Sequence, residues 1–385
     1  MESFDIIILG GGASGLSLAS HLAYSPMRDR SILIVEKDVK DKNDRTWCFW
    51  ANQPTFFDTI VYRSWSQLQV LGERFEKTLD LHEYRYNMIR GIDFYSYARQ
   101  IISGCPHVEF LRGRVEQIKD SEQQAYVLVD GKKYAGTWVF DSLFDWSAFQ
   151  PDPTHYHVIK QQFKGWEIEA IGKPFNPQVA TFLDFRTPQN NGMHFLYVLP
   201  FSEQWALVES VLCTRTPVHW EFCEQALQVY LSSILDIKTY SILREEQGMN
   251  PLTDWRFPRQ LGKHIMAIGN YGGMIKPSTG YAFLRMQNDS SAIINSLLKV
   301  GHPFSLPTSP HRYRYFDAMM LEIMTHHAER IEPIFTSLFK RNSVERIFRF
   351  LDEIASTGEN LTMIPSLPPQ LLFQALLQLG ALGRV

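Results

Sequence analysis

The apolar positions divide the chain into stretches of different period. At the N-terminus, Phe4-Asp5-Ile6-Ile7-Ile8-Leu9 is a nearly continuous apolar run ending at Gly10. Such a run predicts a strand buried on both faces of a parallel sheet. Ser31-Ile32-Leu33-Ile34-Val35 repeats it, and Leu16 to Ala23 between them has helical spacing. Val108 to Ile118 and Tyr126 to Asp141 read as strand–turn–strand, with Asp130-Gly131 as a hairpin turn. His264 to Gly269 reads as a further buried strand.

Elsewhere the period is two. Gln67 to Leu71, Tyr156 to Ile168 and Gln204 to Leu212 alternate as half-buried antiparallel strands do. Beyond about Arg312, Asp317 to Met324 and Val344 to Leu351 have amphipathic helical spacing, and residues 368–382 form a mostly apolar helix with little charge. The expected plan is an α/β domain made of residues 1–63, 87–154 and 241–305. An antiparallel-sheet domain (64–86 with 155–240) interrupts it, and a helical region (306–385) follows.

The first strand leads into Gly10-Gly11-Gly12-Ala13-Ser14-Gly15, a GxGxxG motif at the mouth of a helix. Gly10 permits a tight turn, Gly12 lets a pyrophosphate approach the backbone, and Gly15 lets helix pack on strand. The helix N-terminus then offers free N–H groups to phosphates. The second strand ends at Glu36, a carboxylate placed to accept the ribose hydroxyls of an adenosine. This is a Rossmann-like dinucleotide fingerprint that suits FAD or NAD over NADP. The inserted antiparallel domain favours the plan of two-domain flavoproteins over that of a simple dehydrogenase.

Composition narrows the classes. With 45% hydrophobic and 13% aromatic residues, the chain can bury enough surface to order itself, so disorder is excluded. Lys plus Arg number 38 against 41 Asp plus Glu, which argues against a nucleic-acid partner. Cys48, Cys105, Cys213 and Cys223 are far apart and form no CxxC, so they read as thiols of a reducing compartment. His155/His157 and His326-His327 read as surface histidines, and no metal site is expected. No basic leader opens the chain and no apolar run reaches the ~18 residues of a membrane span. The expected location is cytoplasmic. The nine tryptophans and the aromatic load either fill cores or line a site for something large and apolar.

Three segments are more specific. They are Asn43-Asp44-Arg45-Thr46-Trp47-Cys48-Phe49-Trp50; Tyr197 to Ser202 with Ala206-Leu207-Val208-Glu209; and Gly272 to Phe283, which contains Lys276-Pro277-Ser278-Thr279-Gly280-Tyr281-Ala282-Phe283. Arg90-Gly91-Ile92-Asp93-Phe94, Phe163 to Glu167, Leu183-Asp184-Phe185, Glu246-Gln247-Gly248 with Pro251, and Arg349 to Glu353 add to them. Together they resemble the flavin-dependent lycopene cyclase family of carotenoid biosynthesis, over nearly the whole chain.

The resemblance implies cyclisation of the open ψ-ends of lycopene, or a related acyclic carotenoid, to rings that are expected to be β. It implies reduced FAD without net redox change and NAD(P)H as reductant. It places the acid/base carboxylate at Glu209. The flavin contacts are expected at Gly10, Gly12, Ala13, Ser14, Gly15, Glu36, Arg45, Arg90, Val115, Gly269 and Gly280. Asp184 is open between the active site and architecture. A substrate dissolved in bilayers implies peripheral contact with the cytoplasmic membrane.

The chemistry of the residues agrees. Cyclisation needs an acid for a terminal double bond, a pocket that tolerates a carbocation, and a base for the ring proton. A carboxyl between Val208 and Val211 in an apolar wall would have its pKa raised and serve as the acid. Trp47, Phe49, Trp50, Trp166, Tyr197 and Phe201 are candidates to face a cation. The chain departs from the family in having Ser210 and Val211 after Glu209, where a second Glu or a Tyr and then Thr are usual. The loop Gly269-Asn270-Tyr271-Gly272-Gly273 is also bulkier than usual. The competing readings are a flavin monooxygenase or halogenase, a prenyl-chain reductase, and a carotenoid carrier without turnover. A monooxygenase usually shows Gly-Asp and Asp-Gly where this chain has Gly269-Asn270 and Asp141-Ser142.

Overall fold

The computed structural model describes residues 1–381, so the last four residues of the expected helical region lie outside it. One sheet is built on parallel strands in the order β8 (Val108–Arg112), β2 (Ile32–Glu36), β1 (Glu2–Leu9) and β11 (Lys132–Asp141). The far half of β11 pairs with parallel β17 (Ile265–Ala267). Its near half pairs with antiparallel β10 (Ala125–Val129), which pairs in turn with β9 (Val115–Lys119). The β10–β11 turn has Asp130 at φ 44° and Gly131 at φ 77°. Two left-handed residues match the twist of the flanking strands, as the Asp-Gly pair predicts.

The run Ile6 to Leu9 is buried on both faces. Ile6 and Ile8 pack with Leu16, Leu18 and Leu22 of α1 (Ala13–Ala23), and with α2 (Gly91–Ser103) and α4 (Phe283–Val300). Ile7 and Leu9 face Val127 and Val139 on the other side. A strand covered on both faces has no polar face to show, which is why its sequence does not alternate.

The second sheet has the order β16 (Tyr240–Thr253), β12 (Val158–Ala170), β15 (Trp205–Thr214), β14 (Met193–Pro200), β13 (Val179–Asp184), β5 (Gln67–Gly72) and β6 (Phe75–Asp80). A small third sheet joins β3 (Thr46–Ala51), β7 (Arg85–Arg90) and β4 (Arg63–Trp65). One boundary is corrected. Residues 241–253 were expected in the Rossmann-like domain, but they form β16 and pair along the whole of β12. The segment carries Gly248 and Pro251 and does not alternate, because an edge strand tolerates both.

Alternation along β15 separates two cores. Ala206 and Val208 pack against Leu227 and Leu231, on and just after α3 (Trp220–Val229). Leu207, Val211 and Cys213 face the C-terminal helices α5 (His311–His326), α6 (Ile331–Arg341), α7 (Val344–Leu351), α8 (Thr357–Met363) and α9 (Pro369–Ala381). Glu209 has the parity of Leu207 and Val211, so it falls on the helix-covered face. No helix among the described residues is long and apolar enough to cross a membrane.

Candidate active site

A cavity of about 590 Å³ runs from the N-terminus of α1 to the helix-covered face of the second sheet. Gly12, Ala13, Ser14, Gly269 and Asn270 line one end, and Glu209, Tyr197 and apolar groups of α5–α7 line the other. Gly12 caps α1 without a side-chain hydrogen bond, so the first amides of the helix are open to a ligand. A Cβ added at Gly12 would meet nothing within 4 Å, whereas one at Gly15 would lie 2.0 Å from the Gly10 carbonyl oxygen. Gly12 is thus small for the sake of the cavity, and Gly15 for the sake of the fold.

Of the expected contacts, Gly12, Ala13, Ser14, Arg45, Gly269, Gly280 and Glu209 come together around this cavity. Gly10 (φ 98°) and Gly15 shape the turn behind it. Glu36 Oε2 accepts from the Gly11 amide at 2.6 Å, beside the turn and outside the cavity. Arg90 and Val115 do not reach the cavity. Arg90 pairs with Asp93 at 2.6 Å and stacks 3.9 Å over the Tyr62 ring. Val115 begins β9 and pairs with Val129. Arg45 donates to the Gln247 carbonyl at 2.5 Å and stands over Phe163.

Glu209 lies opposite Tyr197 in the β14–β15 register, and the Tyr197 hydroxyl donates to Glu209 Oε1. Glu209 Oε2 is buried and accepts no hydrogen bond. The expected neighbouring carboxylate is absent from positions 210 and 211, but another arrives from two strands away. Gly165 of β12 pairs with Glu209 on one side and Glu246 of β16 on the other. A Cβ on Gly165 would lie 2.8 Å from Glu209 Oε2 and 3.2 Å from Glu246 Cγ. The missing side chain leaves room for both carboxyls to fold over one point. Glu246 Oε2 is held by Arg244 Nη1 at 2.8 Å and Thr46 Oγ1 at 2.9 Å.

Burial pushes the Glu209 carboxyl well above the usual carboxylate range, and the Glu246 charge adds to this. The Tyr197 bond opposes it in part. Burial also raises the Tyr197 phenol well above its usual value. Both shifts run in one direction, toward the neutral, protonated form of the two groups at the cavity wall.

The aromatic candidates separate. Trp47 and Tyr197 line the cavity, with Tyr86 and Tyr281, whose hydroxyls lie 2.9 Å apart. Phe49 and Trp50 are core, Trp166 faces the opposite side of the sheet, and Phe201 packs outside the cavity. Asp184 is structural: it is fully buried, pairs with Arg186 at 2.6 Å and accepts from Tyr230 at 2.7 Å. His157 was expected at the surface but is buried, with Nδ1 2.6 Å from Asp254 and Nε2 2.6 Å from Glu322. Lys276 ties the Gly269–Gly280 loop to the C-terminal helices, 2.9 Å from Asp317 and from Glu353. Thr46, Arg244, Tyr86 and Tyr281 carry no spacing signal for these roles, because they come from two different sheets and a loop that meet only in the folded chain.

Residues 5–377 match the lycopene cyclase protein family. The chain is 24% identical over 324 residues to a neoxanthin synthase of Solanum tuberosum, covering 77% of this chain and 61% of that protein. It is 25% identical over 317 residues to a lycopene beta cyclase of Arabidopsis thaliana, covering 78% and 62%. The chain thus spans about three fifths of the length of these relatives. Among solved structures, a flavoprotein/dehydrogenase from Cytophaga hutchinsonii matches with a TM-score of 0.66 at 13% identity, covering 99% of this chain and 100% of that one. A flavin-dependent brominase matches with a TM-score of 0.65 at 11% identity, covering 94% and 97%. Identities this low speak for the fold alone. The match along nearly the whole chain, through the segments that line the cavity, makes this protein a member of the lycopene cyclase family.

Proposed function

We propose that this chain binds reduced FAD and cyclises the ψ-ends of lycopene, or a related acyclic carotenoid, to β-type rings without net redox change. The observation that carries the reading is Glu209, a buried carboxyl held by Tyr197 at the wall of a largely apolar cavity, where burial favours its protonated form. That cavity begins at the open amides of α1.

The residues fit a flavin dinucleotide. The first turn of α1 offers unpaired amides to a pyrophosphate, and the cavity beside Gly12 is open to it. Gly269 and Gly280, both at positive φ, bring backbone to the same cavity. Glu36 is the candidate for the ribose, exchanging its bond to Gly11 for one to a hydroxyl. Bound and reduced by NAD(P)H, the flavin would supply an electron-rich ring that can stabilise positive charge.

Glu209 gives its proton to the terminal double bond, and Tyr197 holds Oε1 while it does so. The second double bond attacks the new cation, which closes the ring. The carbon that accepts the proton and the one that loses it are separated by a single ring atom. One carboxylate therefore reaches both, and Glu209 regains a proton as the ring double bond forms. Acid–base help of this kind contributes ~10²–10⁴ in rate. The faces of Trp47 and Tyr197 attract a passing cation by roughly 0.5–2 kcal/mol each. Met324, Leu338 and Leu351 exclude water that would quench it.

Such a substrate implies work at a membrane surface, which we place on the cytoplasmic side because all four cysteines are free thiols. Phe373 (63% exposed) and Leu377 (57%) on α9, with Leu361 (62%) on α8, offer apolar contacts for it. The test is expression in cells that accumulate lycopene, followed by chromatography and mass analysis of the pigments. Cyclic carotenoids of unchanged mass are expected. Unchanged lycopene, an added oxygen or halogen, or a gain of two hydrogens would overturn the reading.

A further inference from the structure

The site assigned to Glu209 contains a second buried carboxylate that does not line the cavity. Glu246 is 4% exposed and Glu209 3%; each accepts from a hydroxyl, but only Glu246 has a cationic partner of its own. Gly165 lies between them in a continuous three-strand register. Residues paired across neighbouring strands share a face, so both carboxyls emerge on the helix-covered side with no side chain between them.

The groups packed around Glu209 leave one explanation for its bare oxygen. From β14 comes Tyr197, which occupies Oε1. From β3 comes the Cys48 thiol, which burial keeps protonated, and from the Gly269–Gly280 region the Tyr281 phenol, which burial also raises. From β16 come Glu246 and Arg244, the latter bound to Glu246 and Glu167. The cavity-lining groups of α5–α7 include Met324, Phe335, Leu338, Ile347 and Leu351, all apolar. No donor is aimed at Glu209 Oε2. A buried oxygen facing another carboxylate is satisfied when it carries the proton itself and donates toward that carboxylate.

We infer that Glu246 is a positioning residue: anchored by Arg244 and Thr46, it meets Glu209 over Gly165 and keeps the catalytic proton on Glu209 Oε2. This rests on the cyclase reading above and deepens it. Arg244 and Thr46 hold the negative charge on the far carboxyl, so the pair keeps one proton on the member that faces the cavity. During turnover the proton leaves Oε2 for the substrate and the pair briefly holds two charges. Their repulsion favours return of a proton from the ring cation to Glu209. No oxidant, reductant or further acid is consumed.

The experiment is the pH profile of kcat for the FAD-loaded enzyme on lycopene in vesicles, in the wild type, Glu246→Gln and Glu246→Asp. Glu209 works protonated, so activity falls as pH rises through its pKa. Gln removes the charge that holds the proton, and the alkaline limb is expected to move down by a pH unit or more. That is about a tenfold loss at a fixed pH on the limb. Asp keeps the charge but draws it back, so its limb is expected between the other two. A Gln limb at the wild-type position overturns the inference. Should Gln fail to fold, the Asp limb decides alone: a downward shift supports the inference and none overturns it. Infrared absorption of the protonated carboxyl adds a readout free of turnover. The band lost in Glu209→Gln is expected to titrate at lower pH in Glu246→Gln or Glu246→Asp, and an unmoved titration overturns the inference. Wild-type protein that leaves lycopene unchanged would instead count against the cyclase reading itself.

Discussion

Tyr197 and Glu209 stand directly across from each other on neighbouring antiparallel strands, and the tyrosine hydroxyl donates to Glu209 Oε1. The bond stabilises the charged form of a carboxyl that burial drives toward the neutral form. Tyr197 therefore both aims the carboxyl and lowers its proton affinity, while burial and Glu246 raise that affinity.

Glu209→Gln is expected to lower kcat on lycopene by ~10²–10⁴ while leaving the fold and FAD binding intact. Gln has nearly the same volume and still accepts from Tyr197. Full activity in this variant would remove Glu209 from the mechanism.

Tyr197→Phe is expected to have two effects of different kind. Activity at the optimum falls about tenfold, because the carboxyl loses the bond that aims it. The alkaline limb of the pH profile moves up, because the lost bond favoured the charged form. A limb that moves down would contradict the assignment.

Two glycines of the fingerprint separate cofactor from fold. Gly12→Ala meets no protein atom within 4 Å, so thermal stability without cofactor is expected to stay within ~0.5 kcal/mol of wild type. FAD affinity should drop at least tenfold, measured by titration of flavin fluorescence. Gly15→Ala presses on the Gly10 carbonyl and is expected to lower the melting temperature of the protein even without cofactor.

Lys276 is buried between Asp317 and Glu353. Burial alone would raise the Glu353 carboxyl, but Lys276 and Arg285 overcome it and hold the group at about 2. The folded value lies below the ordinary 4.5, so the contribution to stability is complete above about 4.5 and fades as pH falls toward about 2. Chemical denaturation between pH 6 and 3 is expected to show this loss, and Glu353→Gln to flatten it. Lys276→Met leaves two carboxylates facing each other and should cost about 3–5 kcal/mol at neutral pH.

The exposed apolar groups of α8 and α9 are expected to meet lipid. Phe373→Asp with Leu377→Asp should reduce co-sedimentation with vesicles and slow turnover of vesicle-borne lycopene. Activity on detergent-solubilised substrate should change little. Unaltered vesicle binding would place the contact elsewhere.

Much of this was legible along the chain because it depends on neighbours in sequence. The run Ile6 to Leu9, the glycine turn and α1 follow from local pattern, as do the Asp130-Gly131 hairpin and α7. Glu209 stood out only through the segments around it. What needed the folded chain was pairing over long separations. Glu246 is 37 residues from Glu209 and lies on an edge strand without alternation, so no spacing rule joins them. His157 looked like a surface residue until Asp254 and Glu322, from distant parts of the chain, closed on its two nitrogens. Arg90 looked available to a phosphate until the fold laid it over the ring of Tyr62, a residue of another segment, beside its near neighbour Asp93. Periodicity decides which face a residue shares with its near neighbours, but burial and charge contact are set by strands that meet only when the sheet forms. For this protein, sequence alone determined a dinucleotide-type turn and the carboxylate to watch. The tertiary structure decided which second carboxylate stands over Gly165 beside it, and so where a proton can be kept.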